Sequence, residues 1–156
     1  MQWTAAFGSL ARLVSRGDAF VTYVPPAPSI VDDIIAQVKF DANGLISALA
    51  QAPDGVVLML AWMNADALRE TLLTGRVCYW SRSRQKLWRK GETSGQQQKL
   101  IEARLDCDMD AVLMIVDQTG VACHTGRRSC FYHGVTPDGL RDTSQPEISA
   151  EELYGR

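Results

Sequence analysis

The chain has 156 residues, 46% of them hydrophobic and 22% charged, an ordinary composition for one domain that can build its own core. Its 16 Lys and Arg against 18 Asp and Glu leave a formal charge of −2, which excludes a global basic coat for nucleic acid or membrane, so any anion site has to be local. No apolar run reaches the ~18 residues of a membrane span, and Met1-Gln-Trp-Thr lacks the basic start of a secretory signal, so the expected setting is the cytoplasm.

Residues 1–28 read as an appended arm. Phe7, Leu10, Leu13 and Val14 recur at helical spacing, Phe20-Val-Thr-Tyr-Val24 is strand-like, and Pro25-Pro-Ala-Pro28 stops any regular element. Arg12 and Arg16, with no acid before Asp18, give a faint transit-peptide character, but a docked amphipathic helix is the preferred reading.

The domain proper is expected over 29–135. Ser29 can cap a short helix from Ile30, with Asp32 and Asp33 near its positive end. Asn43-Gly44 permits a tight hairpin turn whose return strand is Leu45 to Ala50. Pro53-Asp-Gly55 then turns the chain into the apolar run from Val56 to Met63, short enough for a strand buried on both faces. A helix follows with Asn64 as N-cap, Leu68, Leu72 and Leu73 as inward stripe, and Gly75 as left-handed terminator. Strands dominate from there to about residue 133, so the fold class is α+β, a mostly antiparallel β-sheet with few short helices. The tail, 136–156, carries five acids and two arginines and reads as solvated, with Ser149-Ala-Glu-Glu152 as a capping box for a turn or two of helix.

From Gln98 to Asp110 the sequence alternates with period two. An extended chain puts Ile101, Ala103, Leu105, Cys107 and Met109 on one face and Glu102, Arg104, Asp106, Asp108 and Asp110 on the other. A wet strand face accounts for Glu102 and Arg104 but poorly for three aspartates, because Asp is depleted in strands and like charges repel. Mg²⁺ or Mn²⁺ would neutralise them. Carboxylates at i and i+4 of a straight strand start ~13 Å apart, so one ion can bind all three only if the strand bulges or ends near Asp108 to Asp110. A calcium-binding EF-hand loop also matches Asp106, Asp108 and Asp110, but it needs Gly where Ala111 stands and Glu where Asp117 stands. On this reading Cys107 points to the apolar side, away from the carboxylates.

Four cysteines are too few for a disulfide scaffold, and Cys107, Cys123 and Cys130 fall within 24 residues. Three thiolates would hold Zn²⁺ with one tetrahedral position left for water, the catalytic arrangement, and such a zinc can generate hydroxide near neutral pH. Because three thiolates weaken the Lewis acidity of the metal, a nearby base is useful, and His124 adjoins a ligand; acid or base, fourth ligand and simple loop hydrogen-bonder all stay open for it. Cys78 reads as core and His133 as structural or exposed. The stretch from Trp80 to Gly91 carries Arg82, Arg84, Lys86, Arg89 and Lys90 with two tryptophans and no acid, followed by Gly91-Glu-Thr-Ser-Gly95, a turn suited to a phosphate nest. Single-stranded RNA would suit such a surface too, but the small patch favours a small nucleotide.

Trp62-Met-Asn64, Tyr79-Trp-Ser-Arg-Ser-Arg84, Leu87-Trp-Arg-Lys-Gly-Glu-Thr-Ser-Gly95, Asp106-Cys-Asp-Met-Asp110 and Cys123-His-Thr-Gly-Arg-Arg-Ser-Cys130, in this order, closely resemble the phosphoribosyl-AMP cyclohydrolase family over about residues 38–133. The resemblance implies an intertwined homodimer that opens the adenine ring of phosphoribosyl-AMP between N1 and C6, the third step of histidine biosynthesis, with a zinc-activated water steered by His124. It implies one Zn²⁺ per subunit on Cys107, Cys123 and Cys130, with ligands shared across the dimer, and Mg²⁺ on Asp106, Asp108 and Asp110. Arg82, Arg84 and Lys90 are the candidate substrate-binding residues, and neither nucleic acid nor membrane is an expected partner. Gln96 departs from the His or Asn of many relatives. Some relatives carry a fused pyrophosphohydrolase domain, and a separate protein is expected to supply that step here. The competing class is a zinc-stabilised RNA-binding module, with a closed metal site and no turnover; a thiol redox protein is a third, for which the cysteine spacing is not the usual dithiol motif.

Overall fold

The computed structural model describes residues 22–155. The expected helix around Phe7 to Val14, and the first part of the strand-like run, lie outside the described residues. Thr22, Tyr23 and Val24 form no strand. Instead the Tyr23 hydroxyl donates to the Leu72 carbonyl at 2.8 Å, fastening the start of the described chain to a helix that follows 49 residues later.

Helix α1, Pro28–Gln37, starts two residues before the expected Ile30, with Ala27 as N-cap and no side-chain cap. Pro28 displaces Ser29 from the capping role because its fixed φ suits the first turn and its missing N–H is one the helix would leave unpaired. Asn43-Gly44 does turn the chain, with Gly44 at φ +72°, but among the described residues no strand precedes it to make a hairpin. The Asp41 carboxylate holds the turn, accepting from the Asn43 and Leu45 amides at 2.8 and 2.9 Å.

Strand β1, Ile46–Gln51, pairs antiparallel with β2, Val57–Met63, through a turn in which the Gly55 amide donates to the Ala52 carbonyl at 2.9 Å. β2 is not buried on both faces as expected, since Leu60 is 39% exposed. Helix α2, Ala65–Thr74, has the caps its sequence announces: the Asn64 side chain accepts from the Ala67 amide at 2.9 Å and Gly75 closes it at φ 71°. Leu68 and Leu72 are buried and Leu73 only partly so, while Thr71 is fully buried because its hydroxyl exchanges hydrogen bonds with the Cys78 backbone.

Strands β3, Cys78–Ser81, β4, Lys86–Arg89, β5, Gln98–Leu105, and β6, Ala111–Gln118, complete a six-stranded sheet in the order β4-β3-β2-β1-β6-β5. Every pair is antiparallel except β1 with β6, so the expected α+β class with a mostly antiparallel sheet holds. The core gathers Ile46, Ala48, Met63, Val112, Met114 and Val116 of the sheet with Val31 of α1 and Ala67, Leu68 and Leu72 of α2. The alternate residues Leu49, Leu60 and Leu113, in register across three strands, and Ile115 two residues further along β6 are left half-buried or exposed on the other face. Among the described residues no helix is long and apolar enough to cross a membrane.

The tail is largely exposed, in keeping with the solvated reading, yet it is structured and docked at points. Strands β7, His133–Thr136, and β8, Gly139–Asp142, form a hairpin, and α3, Ala150–Tyr154, carries the capping box read from Ser149 and Glu152. Its Leu153 is only 6% exposed. Apolar Leu153 finds cover against distant parts of the chain, which the acidic composition of the tail conceals.

Candidate active site and metal centres

β5 ends at Leu105, so 106–110 form the turn of the β5–β6 hairpin and not the continuation of a strand. The Asp106 amide donates to the Ala111 carbonyl at 3.1 Å, and the Asp106 carboxylate accepts from the Asp110 and Ala111 amides at 3.0 and 3.1 Å. Met109, held at φ 67°, reverses the chain. This bend solves the reach problem of a straight strand: one carboxylate oxygen each from Asp106, Asp108 and Asp110 lies within 4.8 Å of the others, all exposed. Partial desolvation would raise the Asp106 pKa, but the hydrogen bonds from the Ala111 and Asp110 amides outweigh it and hold the carboxyl below the usual range. Asp110 is pushed the other way, first by the charge of Asp108, then by desolvation and by Asp106. Three convergent oxygen donors that repel one another suit a hard divalent cation.

Because the segment is a turn, Cys107 does not point to an apolar face as expected. It is exposed, its sulfur 4.0 Å from an Asp108 oxygen.

The second centre is built by long-range anchors. The Cys130 amide donates to the Leu58 carbonyl at 2.7 Å, the Ser129 hydroxyl to the Val57 carbonyl at 2.7 Å, and Arg128 pairs with Asp54 at 2.6 Å, so the loop lies along the start of β2. β3 meets β2 only at Trp62 and Trp80, which leaves those carbonyls available. The loop doubles back on itself through Cys123 N–H to Arg127 C=O at 3.1 Å and Gly126 N–H to Cys123 C=O at 3.1 Å. Cys123 is buried, with its sulfur 3.0 Å from the Thr125 hydroxyl. Cys130 keeps an open side, yet the protein packed around its thiol and then the neighbouring Cys123 push its pKa up to about 12, with Lys90 opposing. Two neighbouring thiols of this kind are suited to a soft cation.

Cys123, Cys130 and His124 line a cleft of about 440 Å³ together with Arg84, Trp88, Lys90 and the loop from Gly91 to Gln96. His124 is exposed there. Lys90 is 5% exposed, its ammonium donating to the Gln96 carbonyl at 3.2 Å; burial lowers its pKa while the two thiols favour its charge. Gly91 sits at φ +78°, and a side chain on it would come within 2.5 Å of the Gln96 and Gln97 backbone, so the loop closes only with glycine there.

The structure thus brings together His124, Cys123, Cys130, Arg84 and Lys90, and separately Asp106, Asp108 and Asp110. It does not bring Cys107 to the cleft, and it sends Arg82 elsewhere, with its guanidinium 3.4 Å above the Trp62 ring. Arg89 is engaged by Glu70 in a two-point ion pair. Cys78 is fully buried, with burial first and Glu70 second pushing its thiol up to about 11, and His133 bonds Asp142 at 2.9 Å.

Two features escaped sequence reasoning. An amide relay, buried at its start and exposed at its end, runs from the Tyr79 hydroxyl to Gln98 at 2.7 Å, from Gln98 to Gln118 at 2.9 Å, and from Gln118 to the Thr119 carbonyl at 2.7 Å. Gln96 adds to it by accepting from the Val121 amide at 2.9 Å, just before the cysteine loop. The only signal was the run Gln96-Gln97-Gln98 entering a strand. The second feature is Leu153 and Tyr154 in the cleft wall, for which the capping box was a partial signal.

Residues 59–132 match the family model for phosphoribosyl-AMP cyclohydrolase. A relative of that name from Rhodospirillum centenum is 58% identical over 129 residues, covering 82% of this chain and 97% of its own. Those from Paramagnetospirillum magneticum and Alkalilimnicola ehrlichii are 59% and 61% identical, covering 78% and 79% of this chain and 92% and 87% of their own. Likeness of this extent defines the chain as one of the cyclohydrolases. It belongs to the phosphoribosyl-AMP cyclohydrolase family.

Proposed function

We propose that the chain hydrolyses the N1–C6 bond of phosphoribosyl-AMP in histidine biosynthesis, as a cytoplasmic homodimer that needs zinc and magnesium. The observation that carries this reading is the cleft in which Cys123, Cys130, His124, Lys90 and Arg84 meet the Gly91 to Gln96 loop. Its volume suits a nucleotide.

Cys123 and Cys130 would hold zinc with Cys107, and the aspartate turn would hold Mg²⁺. Zinc bound there would supply Lewis acidity and a water activated near neutral pH. His124 would orient an attacking water toward C6 and carry a proton to N1 as the ring opens, leaving the exocyclic nitrogen on the carboxamide. Arg84 and Lys90, with the amides of the glycine loop, bind phosphate; Arg82 reaches substrate only by leaving Trp62.

Two thiols do not complete a zinc site. The remoteness of Cys107 from the cleft and the apolar open face of the sheet, with Leu60 at 39% exposure, support a second copy that lends its Cys107. The test is the ultraviolet change when zinc-replete protein and Mg²⁺ meet phosphoribosyl-AMP. Turnover is expected, falling at least about 10³-fold in Cys123→Ala. Mixed Cys107→Ala and Cys123→Ala chains should regain part of it through one intact site. No turnover from a folded, zinc-loaded dimer would sink the reading in favour of a binding module.

A further inference from the structure

Residues 143–155 lie over the cysteine loop as a strap, and the contacts that hold them are specific. The Gly126 carbonyl accepts from both the Glu147 and Ile148 amides, at 2.7 and 3.2 Å. A side chain on Gly126 would come within 1.8 Å of the Ile148 carbonyl oxygen, so this close approach requires glycine. Arg127, its guanidinium 4.0 Å from the Tyr132 ring centroid, donates to the Ser144 carbonyl and to Asp142, both at 3.0 Å. Two residues inside the Cys123 to Cys130 motif therefore dock the tail.

The strap ends in α3, started by the reciprocal hydrogen bonds of Ser149 and Glu152 and stopped by Gly155 at φ 63°. Leu153 is buried at 6% exposure, whereas the next residue, Tyr154, keeps 44% of its surface open. Both line the cleft that holds Lys90, Cys123 and His124. Tyr154 stands 22 residues past the last residue matched by the family model. Cations on this cleft answer the phosphates of a nucleotide; its base or ribose needs a flat apolar surface, and an anchored but uncovered tyrosine ring supplies one.

We infer that the C-terminal strap is a wall of the substrate site and that Tyr154 contacts the purine nucleotide, setting its affinity. This deepens the proposed function and rests on it. In the full-length, zinc-loaded protein, Tyr154→Ala should raise KM for phosphoribosyl-AMP about tenfold with kcat nearly unchanged, and Tyr154→Phe should restore it. AMP serves as a binding probe that needs no chemistry, and Tyr154→Ala should weaken it by a similar factor. A KM and an AMP affinity within about twofold of the parent protein overturn the inference while leaving the cyclohydrolase reading intact. A fall in kcat with KM constant, not rescued by Phe, also overturns it, assigning the strap a structural role only. If the parent protein binds AMP but turns nothing over, the cyclohydrolase reading falls and the AMP comparison alone decides for Tyr154. Absence of both turnover and AMP binding overturns both.

Discussion

The aspartate turn and the cysteine loop are two candidate metal centres built in opposite ways. The first is local: five consecutive residues, closed by the Asp106 carboxylate on the Asp110 and Ala111 amides, gather three carboxylates at the tip of one hairpin. The second is held by Leu58, Val57 and Asp54 of a distant strand and turn, and it gathers only two thiols in the described chain. A hard cation tolerates an exposed set of oxygens from one tight turn. A soft tetrahedral site needs ligands fixed from several directions, and on the proposed reading the missing one comes from a second copy.

The largest test of that contrast is to disrupt the proposed dimer. Leu60→Glu places a charge on the open sheet face, where Leu49 and Leu113 lie alongside in register. The expected product, checked by sedimentation and metal analysis, is a monomer that retains almost no zinc and at least about 10²-fold less turnover, with Mg²⁺ affinity unchanged. Equal loss of both metals would break the comparison, because the aspartate turn would then depend on assembly too.

A smaller effect sharpens the other half. Asp108→Asn should weaken Mg²⁺ by roughly tenfold or more, by calorimetric titration, with zinc content untouched. The pH dependence follows from Asp110, whose pKa is raised first by Asp108. As pH falls, Asp110 takes up its proton before an ordinary aspartate, so Mg²⁺ affinity is lost on approaching the acid range from above, while Asp106 stays ionised further down. For the metal-free fold the sign is reversed. A carboxyl raised in the folded state stabilises it while protonated, and that contribution disappears as pH rises through its folded value. Mg²⁺ should therefore raise the unfolding temperature more at pH 7 than at pH 4.

The smallest expected effect concerns the scaffold between the two centres. Gln98→Ala leaves the Tyr79 hydroxyl and the Gln118 amide without their buried partner, at a cost of about 1–3 kcal/mol in denaturant unfolding, with zinc content retained. Loss of zinc in a folded Gln98→Ala protein would show that the relay positions the cysteine loop and does not merely support the sheet.

What could be read from residues in order was whatever nearest neighbours decide. Asn64 and Gly75 bounded a helix because caps act within one turn, and the alternation after Gln98 marked a strand because side chains there follow a period of two. Even there neighbours competed: Pro28 overruled Ser29, and the run of aspartates ended the strand that its alternation extended. The same aspartates imposed the bend as a condition for holding one ion, since extended backbone keeps them too far apart.

Burial and assembly lay beyond such reading. Gln98 is fully buried, although glutamine is ordinarily a surface residue, because Tyr79 and Gln118 meet it across the fold. The tail carried acidic charge and prolines that read as solvated chain, yet Gly126 and Arg127 hold it against the cysteine loop. The sequence by itself determined the family, the sheet class and which side chains could bear chemistry, since these follow from residue type and local spacing. Only the tertiary structure decided that Cys107 stands apart from Cys123 and Cys130 and that Tyr154 joins them at one cleft, because those separations depend on packing between segments far apart in the chain.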